Sequence, residues 1–558
     1  MIHNHEVPSS ILGPATKKAV RIFILIAFFL CFFFVGTEKS RIFAPMKQII
    51  STIFFCVFVI TASAQDVVRM VEPAYADDGA VYRQSVYVPQ KWDKRRVVLY
   101  LERPLGATTV LVNGKEAGGD TLVNLPQQLD VTKHIMAGQR NTIEVRVAGH
   151  DAHGVMGSIE LRSQPRRLYI SKLTTKPRPF MKLVTLGLEI QGQSPDFSFF
   201  GVQTMIQREG VDTAKIYVNE WGITANRMSF ETPVFDDDCL WDEFHPILYR
   251  VGVTVGVDYQ ERIFGMREAG VVDGRLFINR HPVYLRGCMM DNYFPMGGRM
   301  PMDVQTWTHI FQRLSDLGLN HVRFRGYCPP EAAFAAADKV GMYLQPEAQS
   351  ATHLDAIADT YGHHPSLVLI TFGNECFVYN NGTKTPVQLH QSVIAGPDLP
   401  LYKQCVERLL LGGGSAHYLL GGMCDVQGDY SGVLHERWDE QDQSFVRQFN
   451  QFCRSIVPLV QLPKTEFVPG DTLRTPVYVY NAMYGNLHGV RTSFYLSNDS
   501  NQVMAGGLVA AGHVPLDSIK QVGQIVLPFD SVGYHGPAWL TVTVGSPAIR
   551  NRWRIFIH

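Results

Sequence analysis

The stretch LGLNHVRFRGYCPPEAAFAAADKVGMYLQPE, Leu317 to Glu347, decides the fold. HVRFRGY, His321 to Tyr327, is short and strand-like. PPEAAFAAADKVG, Pro329 to Gly341, opens on prolines, runs through alanine-rich helix formers and closes on glycine, the order of start and stop signals a helix needs. MYLQPE, Met342 to Glu347, is strand-like again. A strand, a helix and a strand within so few residues imply a parallel pair joined by a right-handed crossover.

The same rhythm continues on both sides. Upstream, PVYLRGCM (Pro282 to Met289) is strand-like, and MDVQTWTHIFQRLSDLGLN (Met302 to Asn320) has apolar residues at helical spacing and stops at Gly318. Downstream, ATHLDAIADTYGHHP (Ala351 to Pro365) predicts a helix and LVLITFGNE (Leu367 to Glu375) a fourth strand. Chemistry gathers at the C-terminal strand ends of such sheets, where Arg325, Glu347 and Glu375 sit. After Glu375 the alternation weakens to a helix in PLYKQCVERLLLGG, one late strand in HYLLGGMCDVQ and a polar helix in DEQDQSFVRQFNQFC. The αβ region therefore spans 271–459, fewer residues than the ~250 of a complete (β/α)8 barrel, and an incomplete barrel-type catalytic region is expected.

Both flanks read as β-structure. Short alternating strands broken by turns, YRQSVYVP, RRVVLYLERP, TTVLVNGKEAGG and NTIEVRVAG, predict a jelly-roll-like β-sandwich over 65–157, with Asn113-Gly114 suited to a hairpin turn of positive φ. Residues 158–270 predict an immunoglobulin-like β-sandwich and 460–558 a C-terminal one.

The chain has 558 residues, too many for one core, and balances 51 Lys+Arg against 51 Asp+Glu. A neutral chain advertises no nucleic-acid surface. MKQIISTIFFCVFVITASAQ, from Met46 to Gln65, has the basic, apolar and small-residue segments of a signal peptide, so 1–64 is read as a leader with the start expected at Met46. The expected location is exported: periplasmic, cell-surface or secreted. The earlier apolar run, Ile22 to Gly36, offers membrane contact only as an uncleaved leader. The cysteines beyond the leader are odd in number and widely spaced without C-x-x-C, which argues against a disulfide framework and a zinc site.

These motifs together resemble the glycoside hydrolase family 2 group of β-galactosidases, β-glucuronidases and β-mannosidases. The similarity runs from the first sandwich, with its LDVT and NG signposts, through LWDEFHPILYRV and FGMREAGVVDGRLFINRHPVYLRG at the passage into the αβ region. It ends in LITFGNE, and covers about Val81 to Glu375. The resemblance implies a retaining β-glycosidase acting on an oligo- or polysaccharide, with Glu375 as general acid/base and Asn374 bonding the sugar 2-hydroxyl. It implies no cofactor. Two departures stand out. RGYCPP replaces the family's H-Y-P after strand 2. The segment Cys376 to Pro400, where the family carries later strands and its nucleophile, holds a single acidic residue, Asp398.

Retention needs two carboxyls about 5–5.5 Å apart, one protonated to assist the leaving oxygen and one ionised to attack. Beside Glu375, Glu347 is a candidate, with a supporting hydrogen-bond role as the plainer alternative. Glu436 in GVLHERWDE is a weak nucleophile candidate in a polar segment. Asp291, Asn292 and Arg323 are candidates to bind sugar, with pairing to an internal carboxylate such as Glu347 as the equal alternative for Arg323. Arg286 either does so or pairs with an internal carboxylate such as Glu347, and Asp425 and Asp429 are late-strand binders or solvated loop residues. His363 and His364 are adjacent, so their side chains are expected to diverge and no metal is expected. FDDDCLWDEFHP lacks calcium-loop spacing and reads as a charged turn. The rival class is a carbohydrate-binding pseudoenzyme or an internally deleted chain without its nucleophile.

Overall fold

The computed structural model describes residues 67–558 apart from 70–73, 77–78, 149–153, 193–200, 212–216, 224, 235, 238, 293, 295–299, 395–397, 413–416, 426–432, 436–437 and 440–442. The expected leader, Asp429 and Glu436 lie outside the described residues. No helix among the described residues is long and apolar enough to cross a membrane.

The first sandwich packs two antiparallel sheets. One carries Val155–Gln164, Arg96–Pro104 and Gln127–Asp130; the other carries Gly79–Tyr87, Arg140–Ala148, Thr108–Val112 and Lys115–Asp120. Alternate residues such as Val97, Leu99, Leu101, Val110, Ile143, Val145 and Leu161 fill the space between them, as period-two burial requires. The hairpin turn has φ of 52° at Asn113 and 76° at Gly114, the paired positive values that a tight primed turn demands. Val155–Gln164 spans residue 157 and pairs with Arg96–Pro104, so the change of sheet falls after Gln164.

A second antiparallel sandwich follows. Tyr169–Arg178, Leu183–Gln191 and Arg227–Pro233 face Gly201–Arg208, Tyr217–Gly222, Leu248–Val255 and Asp258–Gly265 across a core including Ile170, Leu186, Ile206, Val251 and Phe264. The C-terminal strands, Ile456 to Ile557, form two further sheets around Leu473, Leu496, Leu540 and Ile555.

Between them lie β1 (Arg286–Met290), α1 (Val304–Asp316), β2 (His321–Phe324), α2 (Glu331–Val340), β3 (Tyr343–Gln345), β4 (Glu347–Ala348) and α3 (Ala351–Tyr361). These are followed by β5 (Leu369–Phe372), β6 (Glu375–Asn380), β7 (Thr383–Val387), β8 (Gln391–Ile394), α4 (Leu399–Leu411), β9 (His417–Leu420) and α5 (Gln443–Phe449). Strands β3-β2-β1-β9-β8 form a parallel sheet in that order. Leu344 bridges in parallel to Leu367 and so joins β3 to the segment entering β5.

Local chemistry explains the helices. Asp303 caps α1 by accepting from the Thr306 amide at 2.7 Å, and Trp307, Ile310, Phe311 and Leu314 form its buried stripe. Ser350 caps α3 in the same way. Helix α2 stops at Gly341, whose φ is 84° and whose missing Cβ would stand 3.0 Å from the backbone of Glu243.

The chain departs from expectation after β5. The strand stops at Phe372, and Gly373-Asn374 forms a two-residue hairpin loop with φ of 58° at Gly373. Glu375 therefore does not end a strand; it opens β6, which returns antiparallel with Phe372 opposite Glu375 and Thr371 opposite Cys376. Glycine at the first central position suits such a turn.

Candidate active site at the strand ends

The two faces of the parallel strands can be separated by their packing. Val322 and Phe324 of β2, Leu344 of β3, Ile370 of β5 and Tyr418 and Leu420 of β9 join the core shared with the helices. Alternation places His321, Arg323, Tyr343, Gln345, Leu369, Thr371 and His417 on the opposite, inner face. Tyr343 and Leu369 join an apolar cluster with Trp241 and Leu285 there, and the other residues make that face polar, with some of its groups hydrogen-bonded. The Gln345 amide donates to Thr371 Oγ1 at 2.7 Å, the Gln391 amide donates to Gln345 Oε1 at 2.9 Å, and His417 Nδ1 accepts from the Leu285 amide at 3.0 Å. Gly287 leaves room for His321: a Cβ there would lie 2.4 Å from its Nδ1. Burial, with His417 and Arg323 adding like charge, pushes the His321 imidazole down to about 3. Burial likewise pushes His417 down to about 4 and the Cys376 thiol up to about 11. Both histidines are neutral at ordinary pH, and Cys376, beside Glu375, is no thiolate.

Towards the strand ends the charged residues appear. Asp291, after β1, is exposed and takes a bidentate pair from Arg325, after β2, at 2.6 and 2.7 Å. Asn292 is exposed. Arg323 is 26% exposed and comes within 3.9 Å of Glu347, itself 25% exposed; this contact is longer than a hydrogen bond. Asn374 and Glu375 occupy the exposed tip of the β5–β6 hairpin, and their side chains make no hydrogen bond or ion pair among the described residues.

The hairpin also sets which way Glu375 faces. Cross-strand partners share a face, so Glu375 lies with Phe372, on the helix-packed side, while Cys376 lies with Thr371 on the inner side. Glu347 pairs with Thr371 and belongs to the inner side as well. Arg323 and Glu347 are thus brought together, Asp291 is brought to Arg325, and Glu375 stands apart from both sets at the turn.

Other sequence-derived candidates resolve into structural roles. Arg286 begins β1, at the opposite end of the sheet, and bonds Glu243 at 2.6 Å and the Gly318 carbonyl at 2.8 Å. It does pair with a carboxylate, but with Glu243 of the charged turn and not Glu347. Asn320 donates to the other Glu243 oxygen at 3.0 Å, and Asp242 accepts from the Phe244 and His245 amides, so that turn is an anchor. Burial opposes the Arg286 charge, and Glu243 overrides it. RGYCPP is a docking loop. Arg103 of the first sandwich donates to the Cys328 carbonyl at 2.5 Å, and buried Tyr327 donates to the Asp291 carbonyl at 3.3 Å. Asp425 is buried with His435 at 3.4 Å.

The expectation that His363 and His364 diverge fails. They sit in a turn beyond the end of α3, where helix geometry no longer separates neighbours, and their rings lie 4.0 Å apart. Both Nε2 atoms approach Glu331 Oε1, at 3.6 and 3.0 Å. Glu331 had no signal in the sequence beyond its place after two prolines at a helix start. A cleft between the two N-terminal sandwiches, lined by Arg96, Arg162, Tyr169, Gln191 and Arg262, includes none of the strand-end residues.

Comparison with known proteins gives three kinds of match. Residues 471–558 match a family described as a domain of unknown function, DUF8488. The chain is 21% identical over 342 residues to a β-galactosidase of Leuconostoc mesenteroides, covering 53% of this chain and 33% of that one. It is 22% identical over 351 residues to a putative β-glucuronidase of Formosa agariphila, covering 56% and 42%. The chain thus spans less than half the length of these curated relatives. Among solved structures it resembles a β-D-mannosidase from Dictyoglomus thermophilum, with a TM-score of 0.63, 11% identity and coverage of 86% and 82%. It also resembles Bacteroides uniformis β-glucuronidase 2, with a TM-score of 0.54, 14% identity and coverage of 87% and 75%. The chain is thus similar in sequence to a β-galactosidase and a putative β-glucuronidase over about half of its own length, and it resembles glycoside hydrolase family 2 structures in its mostly β, multidomain fold.

Proposed function

We propose that the protein is an exported glycoside hydrolase acting on an O-glycosidic bond of an oligo- or polysaccharide with retention. The carrying observation is the sequence similarity to β-galactosidase and β-glucuronidase over about half of this chain. In this reading the αβ region is an incomplete (β/α)8-type barrel with β6 and β7 folded back where later barrel strands would stand. Glu375 is the general acid/base. Asn374, Asp291, Asn292 and Arg323 contact the sugar, and Glu347 supports Arg323. A sugar seated on the rim would cover the hairpin tip and exclude water from Glu375, the condition under which a carboxyl donates a proton effectively. The nucleophile is unassigned, with Glu436 the weak candidate.

One observation favours a second reading, a carbohydrate-binding protein without turnover. Glu375 opens an antiparallel strand and faces away from Glu347, so these two carboxylates do not flank a common point. The deciding experiment compares wild type and Glu375→Gln on aryl β-glycosides. Turnover by the wild type and its loss in the variant support hydrolysis by Glu375. Equal rates would sink the role of Glu375, and no wild-type rate with retained oligosaccharide binding would establish the second reading.

A further inference from the structure

We infer that Glu331, His363 and His364 form a binding site for one divalent transition-metal ion of the zinc class, pinning the start of α2 to the turn between α3 and β5. The ligating atoms, one from each residue, all lie within 4.8 Å of one another. The Glu331 oxygen stands 3.0 Å from His364 Nε2 and 3.6 Å from His363 Nε2. A tetrahedral centre with zinc–ligand arms of about 2.0–2.1 Å has ligand–ligand edges of about 3.3 Å, and the two separations bracket that value. The 3.6 Å approach of His363 lies beyond ordinary hydrogen-bond length.

The surroundings orient the set as metal sites usually require. His364 is almost fully buried, and its Nδ1 lies 2.6 Å from Asp338 Oδ2; the other Asp338 oxygen accepts the Ser366 amide at 3.0 Å. Asp338 holds one imidazole nitrogen, and the other, Nε2, hydrogen-bonds Glu331, so an ion binding there displaces the proton between them. Glu331 remains 47% exposed, so an ion has an entry path and a solvent-facing fourth position. His363 also lines a groove with Lys172, Arg262 and Asp359. Arg262 is near enough for its charge to act on Glu331 and His363, and it opposes a cation. Two nitrogens and one oxygen suit zinc, cobalt or nickel better than the oxygen-seeking calcium or magnesium.

The test is titration of the chelator-stripped full chain with Zn²⁺ by calorimetry and with Co²⁺ by visible absorption. One ion per chain is expected, with tetrahedral-type Co²⁺ bands. Affinity should fall at least about tenfold in His363→Asn and in Glu331→Gln and rise in Arg262→Met. His364 is left intact because its bond to Asp338 has a structural role; circular dichroism checks the folding of each variant, and either ligand variant alone decides the matter. No uptake would overturn the site, and so would uptake that either correctly folded ligand variant leaves unchanged.

Discussion

At the strand starts Arg286 is 7% exposed and tied to Glu243, 9% exposed, while at the strand ends Arg325 and Asp291 make an equally short pair with 59% and 52% of each side chain in water. The chemistry of the two pairs is the same and the solvent differs. Around Arg286 the hydrogen bonds of Asn320 and Gly318 build a dry anchor, and elsewhere buried Arg267 donates to the Tyr379 and Leu367 carbonyls at 2.8 and 2.9 Å. Among the described residues nothing comparable closes the site around Arg325. One end is buried and held by neighbouring hydrogen bonds, and the other leaves its charges in water.

The sharpest way to break this contrast is Glu375→Gln. If the rim is catalytic, turnover of aryl glycosides should fall by about 10²–10⁴, the usual contribution of a general acid, while the unfolding midpoint stays unchanged. The reverse pattern is expected at the other end. Arg286→Met should cost about 3–5 kcal/mol in urea unfolding, because Glu243 is left buried and unpaired, and adding Glu243→Leu should recover most of that loss.

The inner face between the two ends gives a pH test. His321 and His417 have folded values of about 3 and about 4, both below the ordinary histidine value, so the native state favours the neutral ring. That contribution is complete above about pH 6.5 and is lost as pH falls towards the folded values, with His321 alone supplying on the order of 3–5 kcal/mol. Denaturation midpoints measured from pH 7 to pH 4 should fall, and His321→Gln should flatten the slope. A slope unchanged by that variant would remove His321 as its source. The smallest effect belongs to the exposed pair: Arg325→Ala should alter stability by less than about 1 kcal/mol, with any larger change in carbohydrate affinity marking Arg325 and Asp291 as binding residues.

Some of this arrangement was legible in the chain. Asp303 and Ser350 as caps, Gly341 as a stop and the positive φ of Asn113 and Gly114 all follow from local chemistry. The hairpin after Phe372 was locally signalled too, since Gly373-Asn374 separates two strand-like runs; similarity to a strand-end motif masked it. What carried no local signal was long-range. Arg103 finds Cys328 across 225 residues, Arg286 selects Glu243 across 43, and Glu331 meets two histidines more than thirty residues away.

By itself the sequence determined the alternation of strands and helices, the flanking β-structure and the presence of a carboxylate after an Asn beyond a buried strand. Those are properties of periodicity, caps and turn residues, which act over a few neighbours. Only the tertiary structure decided that Glu375 opens a returning strand, that Glu347 faces Arg323 instead, and that His363 and His364 converge on Glu331. Such choices depend on which distant segments share a face, and burial selects them only once the sheets are assembled.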